Sequence, residues 1–334
     1  MRTDVTFVSK GLTPTGHLHT PESRAGHPLP AIAVIHPWGG VKEQAAGPYA
    51  RRPTEAGFAA LASDAAHQGA CEGERRFLEH PVQRAEDIKS AVIRLGALGI
   101  SASGHAVCAA LSDLRSRTVG TVSAACLGSL LRVRLGGGQD PVVFRDPFAR
   151  TGPLRVVEAL GEHDFLEHIA PEEVGETTPD HLRQGNECYR TAHGARLRCE
   201  NAWVLRRFDQ IAQSDSFAGI EFLAPRPLLM IVGSEASTAH GQPNGRRTRR
   251  VPAELFWIDG TSRFGLHGED EEDEYASPPS PSSSRSSAST RPATRFRTER
   301  PESPRTHARS TTSCPNGRSS RRRRSRSSPP SSRR

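Results

Sequence analysis

No apolar run in the 334-residue sequence approaches the roughly 18 residues of a membrane-spanning helix, so no membrane partner is expected. The opening residues, Met1-Arg2-Thr3-Asp4-Val5, lack the apolar core of an export signal. Six cysteines are present, Cys71, Cys108, Cys126, Cys188, Cys199 and Cys314, but no CxxC pair and no ladder of spacings. A reduced, cytoplasmic setting with buried thiols is therefore expected. Cys188, His193 and Cys199 fit no common zinc spacing, so no metal is expected either.

Residues 276–334 contain no lysine and no apolar periodicity. They hold fifteen arginines against two glutamates, a balance of +13 within a chain total of +8, which leaves residues 1–275 at −5. The body is mildly acidic, and the basic character belongs to the tail. An acidic run, 268–274, precedes it. Such Ser, Arg and Pro-rich composition buries too little apolar surface to offset the entropy of ordering, so residues 268–334 are expected to be a disordered tail. Arg321 to Arg324 and the Ser-Arg repeats suggest nonspecific contact with nucleic-acid phosphates or an import signal. The run has no interleaved aromatics for base stacking, so such binding would be weak and steeply salt-dependent.

What the body does contain is alternation. Residues 5–8 and 12–19 read as an antiparallel pair around the Gly11 turn. Residues 30–35 are a continuous apolar run, as expected of a strand covered on both faces, and 58–63, 118–125, 226–233 and 254–258 read as further buried strands. Between them, 42–56 reads as a helix interrupted near Pro48 and Pro53. Residues 82–95 read as an amphipathic helix with Val82, Ala85, Ile88, Val92 and Leu95 on one side. That helix runs into the strand at 98–100 with almost no connector, so one of the two must be shortened. The pattern predicts an α/β fold, a mostly parallel sheet with helices on both faces, in one domain over 1–267. Alternation stops from about 130 to 223, where a helical insertion is expected to cap the sheet, with its best helix at 198–212.

Ligands of such sheets bind at the carboxyl ends of the strands, and three features of this chain fall there. Gly99-Ile100-Ser101-Ala102-Ser103 places small residues two before and two after a serine, the pattern of a nucleophile elbow. His36-Pro37-Trp38-Gly39-Gly40 follows a buried strand and can turn backbone amides toward a ligand. With Ala102, Trp38 would then supply an oxyanion hole. Asp64 opens the third such loop, and the loops after the last two strands should carry an acid and a histidine.

In these stretches, together with 86–92, 225–236 and Ile258-Asp259-Gly260, the chain resembles cap-bearing α/β-hydrolases of the dienelactone-hydrolase type. The resemblance implies a triad without metal or cofactor, acting on esters, lactones, thioesters or related small acyl substrates. Ser101 stands where relatives often carry cysteine, and either can serve as nucleophile. Ser237 stands where they place the aspartate, leaving Glu235 as the nearest carboxylate. Arg263 fills the histidine slot, and a guanidinium cannot act as a base. His267 lies four residues on, and His240 follows the preceding strand. The expected machinery is a displaced triad of Ser101, Glu235 and His267; the alternative is a hydrolase fold with an impaired or silent site.

Overall fold

The computed structural model describes residues 1–267 except 23–27, 92–95, 103, 134–144, 163–164, 192–193, 197, 240–247 and 249. The expected disordered tail, 268–334, lies outside the described residues, as do His193 and His240.

The amino-terminal strands β1 (Arg2–Thr6) and β2 (Thr15–His19) pair antiparallel. Beyond them come β3 (Ala31–Ile35), β4 (Ala59–Ser63), β5 (Gly96–Ile100) and β6 (Thr118–Val122). The last two strands of the sheet are β9 (Leu228–Gly233) and β10 (Ala253–Ile258). The eight lie in the order β1-β2-β4-β3-β5-β6-β9-β10, with every pair from β4 to β10 parallel. Successive side chains of a strand point to opposite faces. Ala33, Ile35 and Leu61 accordingly join one core with α2 (Pro81–Ala91) and α3 (Gly104–Ser112). Val34, Ala60 and Ala62 join the other, with Ala46, Tyr49 and Ala50 of α1 (Ala46–Arg51). A 3-10 turn over Arg52–Ala56 follows α1 and ends at Gly57, whose φ of +85° is the glycine cap expected there. α2 is described to Ala91 and β5 from Gly96; the tight connector expected between them falls at 92–95, outside the described residues.

Between β6 and β9 the chain forms α4 (Leu127–Val133), α5 (Arg145–Ala159), β7 (Leu166–His168), α6 (Asp180–Arg190), β8 (Ala202–Val204) and α7 (Phe208–Gln213). Trp203, Leu205, Phe208 and Ile211 bury against Trp38 and Ala102, so this segment packs over the strand ends that carry the elbow. The single helix expected over 198–212 is instead a strand, a 3-10 turn and a short helix. Arg198 and Asn201 take φ of +74° and +49°, outside the helical region. β8 pairs antiparallel with β7, which satisfies its backbone better than a helix begun beside those residues. No described helix is long and apolar enough to cross a membrane.

Candidate active site

Ser101 follows β5 directly and has a φ of +60°, a conformation rare for a residue with a Cβ. Two bonds hold it there. Its amide donates to the Val122 carbonyl at 2.8 Å, and its carbonyl accepts from the Ala125 amide at 2.7 Å. The strained serine between buried strand and helix is the geometry of a nucleophile elbow. On the neighbouring strand, Gly39 takes a φ of +64° behind Trp38, and a Cβ there would lie 2.4 Å from Ile169 Cδ1. Both demands explain why the turn after β3 carries glycine. Among the described residues neither the Trp38 nor the Ala102 amide finds a hydrogen-bond acceptor.

One partner of the serine hydroxyl is Arg263. From the loop after β10, its Nη2 donates to Ser101 Oγ at 2.5 Å, so the arginine reaches the serine hydroxyl from the position where the resemblance expects a histidine. It is 9% exposed, lies 5.2 Å from the Phe264 ring centre, and forms no ion pair with a described carboxylate. Its Nε has no hydrogen-bond partner among the described residues. Burial pulls its pKa down, opposed by the Tyr189 phenol and the Cys188 thiol beside it.

The other two members of the expected triad stand apart. His267 is buried in the 3-10 turn Phe264–His267, with Nδ1 3.5 Å from Cys188 Sγ and Nε2 without a described partner. The turn is tied down by the Tyr49 hydroxyl, which donates to the Leu266 carbonyl at 2.9 Å. Glu235 is exposed on the loop after β9. No hydrogen bond therefore joins His267 to Ser101 or to Glu235. The physical reason is that Arg263, being longer than histidine, already fills the space against the serine. Cys199, considered above for a metal, instead donates to the Gly39 carbonyl at 3.3 Å.

Behind the His36 and Asp64 loops lie Glu79, Arg84, His105 and Lys42, whose support the sequence did not reveal. Arg84 Nε lies 2.7 Å from Glu79 Oε1, its Nη2 donates to Oε2 at 3.1 Å, and its Nη1 donates to the His36 carbonyl at 3.1 Å. His36 Nδ1 bonds the Pro37 carbonyl at 2.7 Å, while Nε2 accepts the Ala65 amide at 3.0 Å, an arrangement that fits a neutral ring. His105, in the first turn of α3, lies 3.6 Å from Glu79. Asp64 likewise accepts from the Lys42 amide at 2.7 Å and from Lys42 Nζ at 2.6 Å. Polar residues inside otherwise apolar elements were the available signal, but Glu79 and Arg84 are five apart at the start of an amphipathic helix, where charges ordinarily face water.

Burial, reinforced by Arg84, pulls His36 from its ordinary 6.5 to about 3. Burial, reinforced by Arg263, does the same to His267. The unfolded chain binds protons at these sites below about 6.5, whereas the folded chain does not until about 3. Stability is therefore complete above pH 6.5 and falls on acidification, by about 1.4 kcal/mol per pH unit for each histidine within that window. Urea midpoints at pH 7.5, 5.5 and 4.5 will show this decline, and His267→Gln will flatten it.

A cavity of about 450 Å³ lies beneath the inserted segment, walled by Trp38, Trp203, Tyr189, Phe264 and Ile169, with Arg263 in its lining. A chamber of this size suits one small molecule. The parallel sheet, elbow and covering segment together define the α/β-hydrolase fold, and solved structures agree. The chain aligns with hypothetical protein PA2218 from Pseudomonas aeruginosa at a TM-score of 0.76 and 25% identity, covering 82% of this chain and 90% of that one. It aligns with the α/β hydrolase GrgF from Penicillium sp. sh18 at a TM-score of 0.65 and 19% identity, covering 79% and 91%. No family model matches the sequence. The uncharacterized Escherichia coli (strain K12) protein YcjY is 35% identical over 224 residues, 62% of this chain and 72% of its own. The chain belongs to the family of YcjY.

Proposed function

We propose that this is a cytoplasmic, dienelactone-hydrolase-like protein whose pocket takes small acyl compounds at Ser101 and whose hydrolytic turnover is suppressed by Arg263. The observation that carries this reading is the hydrogen bond from Arg263 Nη2 to Ser101 Oγ. A serine attacks an acyl carbon only if a base takes its proton, and a guanidinium has donors alone. Loss of the base from such a triad costs on the order of a million-fold in kcat, leaving roughly 10³ to 10⁴ over water from oxyanion stabilisation and binding. The amides of Trp38 and Ala102 support that residual contribution.

One observation favours a second reading. His267 Nε2 is buried without a described partner, near Arg263. A Ser101, His267 and Glu235 triad would require that ring to turn to the serine and the exposed Glu235 to swing inward. With a pKa of about 3, His267 is a feeble base at neutral pH. The two readings part on p-nitrophenyl acetate and butyrate hydrolysis by the full chain, Ser101→Ala and His267→Ala. The proposal expects all three to share one low rate. Turnover lost in both variants would establish the displaced triad.

A further inference from the structure

Among the described residues Arg263 is a buried cation without a counter-charge. Its described neighbours are a serine hydroxyl, an aromatic face, a thiol and a phenol, and none is a carboxylate. Removing a guanidinium from water is costly unless an anion or full hydrogen bonding compensates. Here Nε is left without a described partner, and the side chain lies in the lining of a cavity. The other ionisable residues of that lining are His168, His181 and Tyr189. No aspartate or glutamate is among the described lining residues. His168 is drawn toward Glu172, 3.2 Å away, and so leaves Arg263 as the strongest positive charge facing the chamber.

The walls specify the rest of the occupant. Trp38 and Trp203 stand with ring centres 5.2 Å apart and tilted planes, and Tyr189 meets Phe264 edge-to-face at 6.1 Å. Four aromatic rings around one cation form a chamber for a flat apolar body ending in a negative group. A planar carboxylate matches the fork of a guanidinium, and its second oxygen could accept from the unoccupied Trp38 or Ala102 amide.

We propose that the cavity is a binding site for a small monocarboxylic acid with an aromatic body, its carboxylate paired with Arg263. This deepens the reading above and rests on it: a pocket that takes small acyl compounds but leaves Ser101 held by Arg263 is free to bind the acid itself. No covalent step is involved.

Titration calorimetry of the full chain with 3-phenylpropionate, and with uncharged 3-phenylpropionamide as its isostere, tests the assignment. The acid is expected to bind saturably at one site and the amide at least tenfold more weakly. Arg263→Gln should erase that preference. The wild-type comparison stands even if Arg263→Gln fails to fold. Equal affinities for acid and amide, an acid preference that survives in Arg263→Gln, or no saturable binding of the acid would each overturn the proposal. Ser101-dependent ester turnover combined with retained acid preference would overturn the impaired-site reading and leave the carboxylate site standing. Absent turnover combined with absent preference would do the reverse.

Discussion

The Arg263→His/Ser237→Asp double variant is expected to hydrolyse p-nitrophenyl acetate about 10² to 10⁴ times faster than the natural chain, the usual worth of one positioned proton-transfer group. The framework for this is already in place. Ser101 holds its strained φ of +60°, and the loop after β10 already reaches it, as the bond from Arg263 shows. What the site lacks is a proton acceptor at 263 and a carboxylate to orient it. Ser237 occupies the position where the resemblance to dienelactone-hydrolase-like proteins puts that carboxylate. Two controls separate base restoration from relief of a blocked serine. Arg263→Met removes the guanidinium without supplying a base, and Arg263→Lys keeps a cation; both should remain as slow as the natural chain. The gain must vanish on adding Ser101→Ala. Faster turnover in Arg263→Met would mean that Arg263 merely obstructs a base located elsewhere, with His267 the first candidate.

The largest effect on stability is expected from Glu79→Ala. Glu79 and Arg84 are both almost fully buried, in contact through both carboxylate oxygens. Although burial pushes the Glu79 carboxyl up, Arg84 and His105 hold it at about 2. Truncating the carboxylate strands a guanidinium inside the protein, which costs about 3–5 kcal/mol. Urea denaturation should show that loss as a lower midpoint with little change in slope. Removing both charges in Glu79→Leu/Arg84→Met should recover much of it, because a buried pair replaced by apolar residues of similar size is often neutral. The pair also supports function, through Arg84 on the His36 carbonyl two residues before Trp38. Glu79→Gln is therefore expected to weaken 3-phenylpropionate binding more than its smaller effect on folding would suggest.

These two predictions also mark where the sequence was legible. Strands β3, β4, β6 and β9 announced themselves because burial on both faces favours apolar residues throughout, and α2 carries a repeat that shows its buried side. The elbow could be read because its backbone needs small residues around Ser101. The place of Arg263 followed only from the resemblance, and there its guanidinium meets the Ser101 hydroxyl. Three things were not legible. The turns at Arg198 and Asn201 break what reads as one helix over 198–212, since a positive φ leaves no mark in hydrophobic spacing. The burial of Glu79 and Arg84 depends on elements far apart in sequence meeting above α2. The seclusion of His267 depends on Cys188 and Tyr189, which the inserted segment brings to it.

The central claim is that Ser101 sits in a formed elbow but is held unreactive by Arg263. Fluorophosphonate labelling of the purified full chain, read by intact mass beside Ser101→Ala and the Arg263→His/Ser237→Asp variant, tests it most directly. The account predicts no adduct on the natural chain within a time that labels the double variant at Ser101. Rapid stoichiometric labelling of the natural chain, lost in Ser101→Ala, would contradict it.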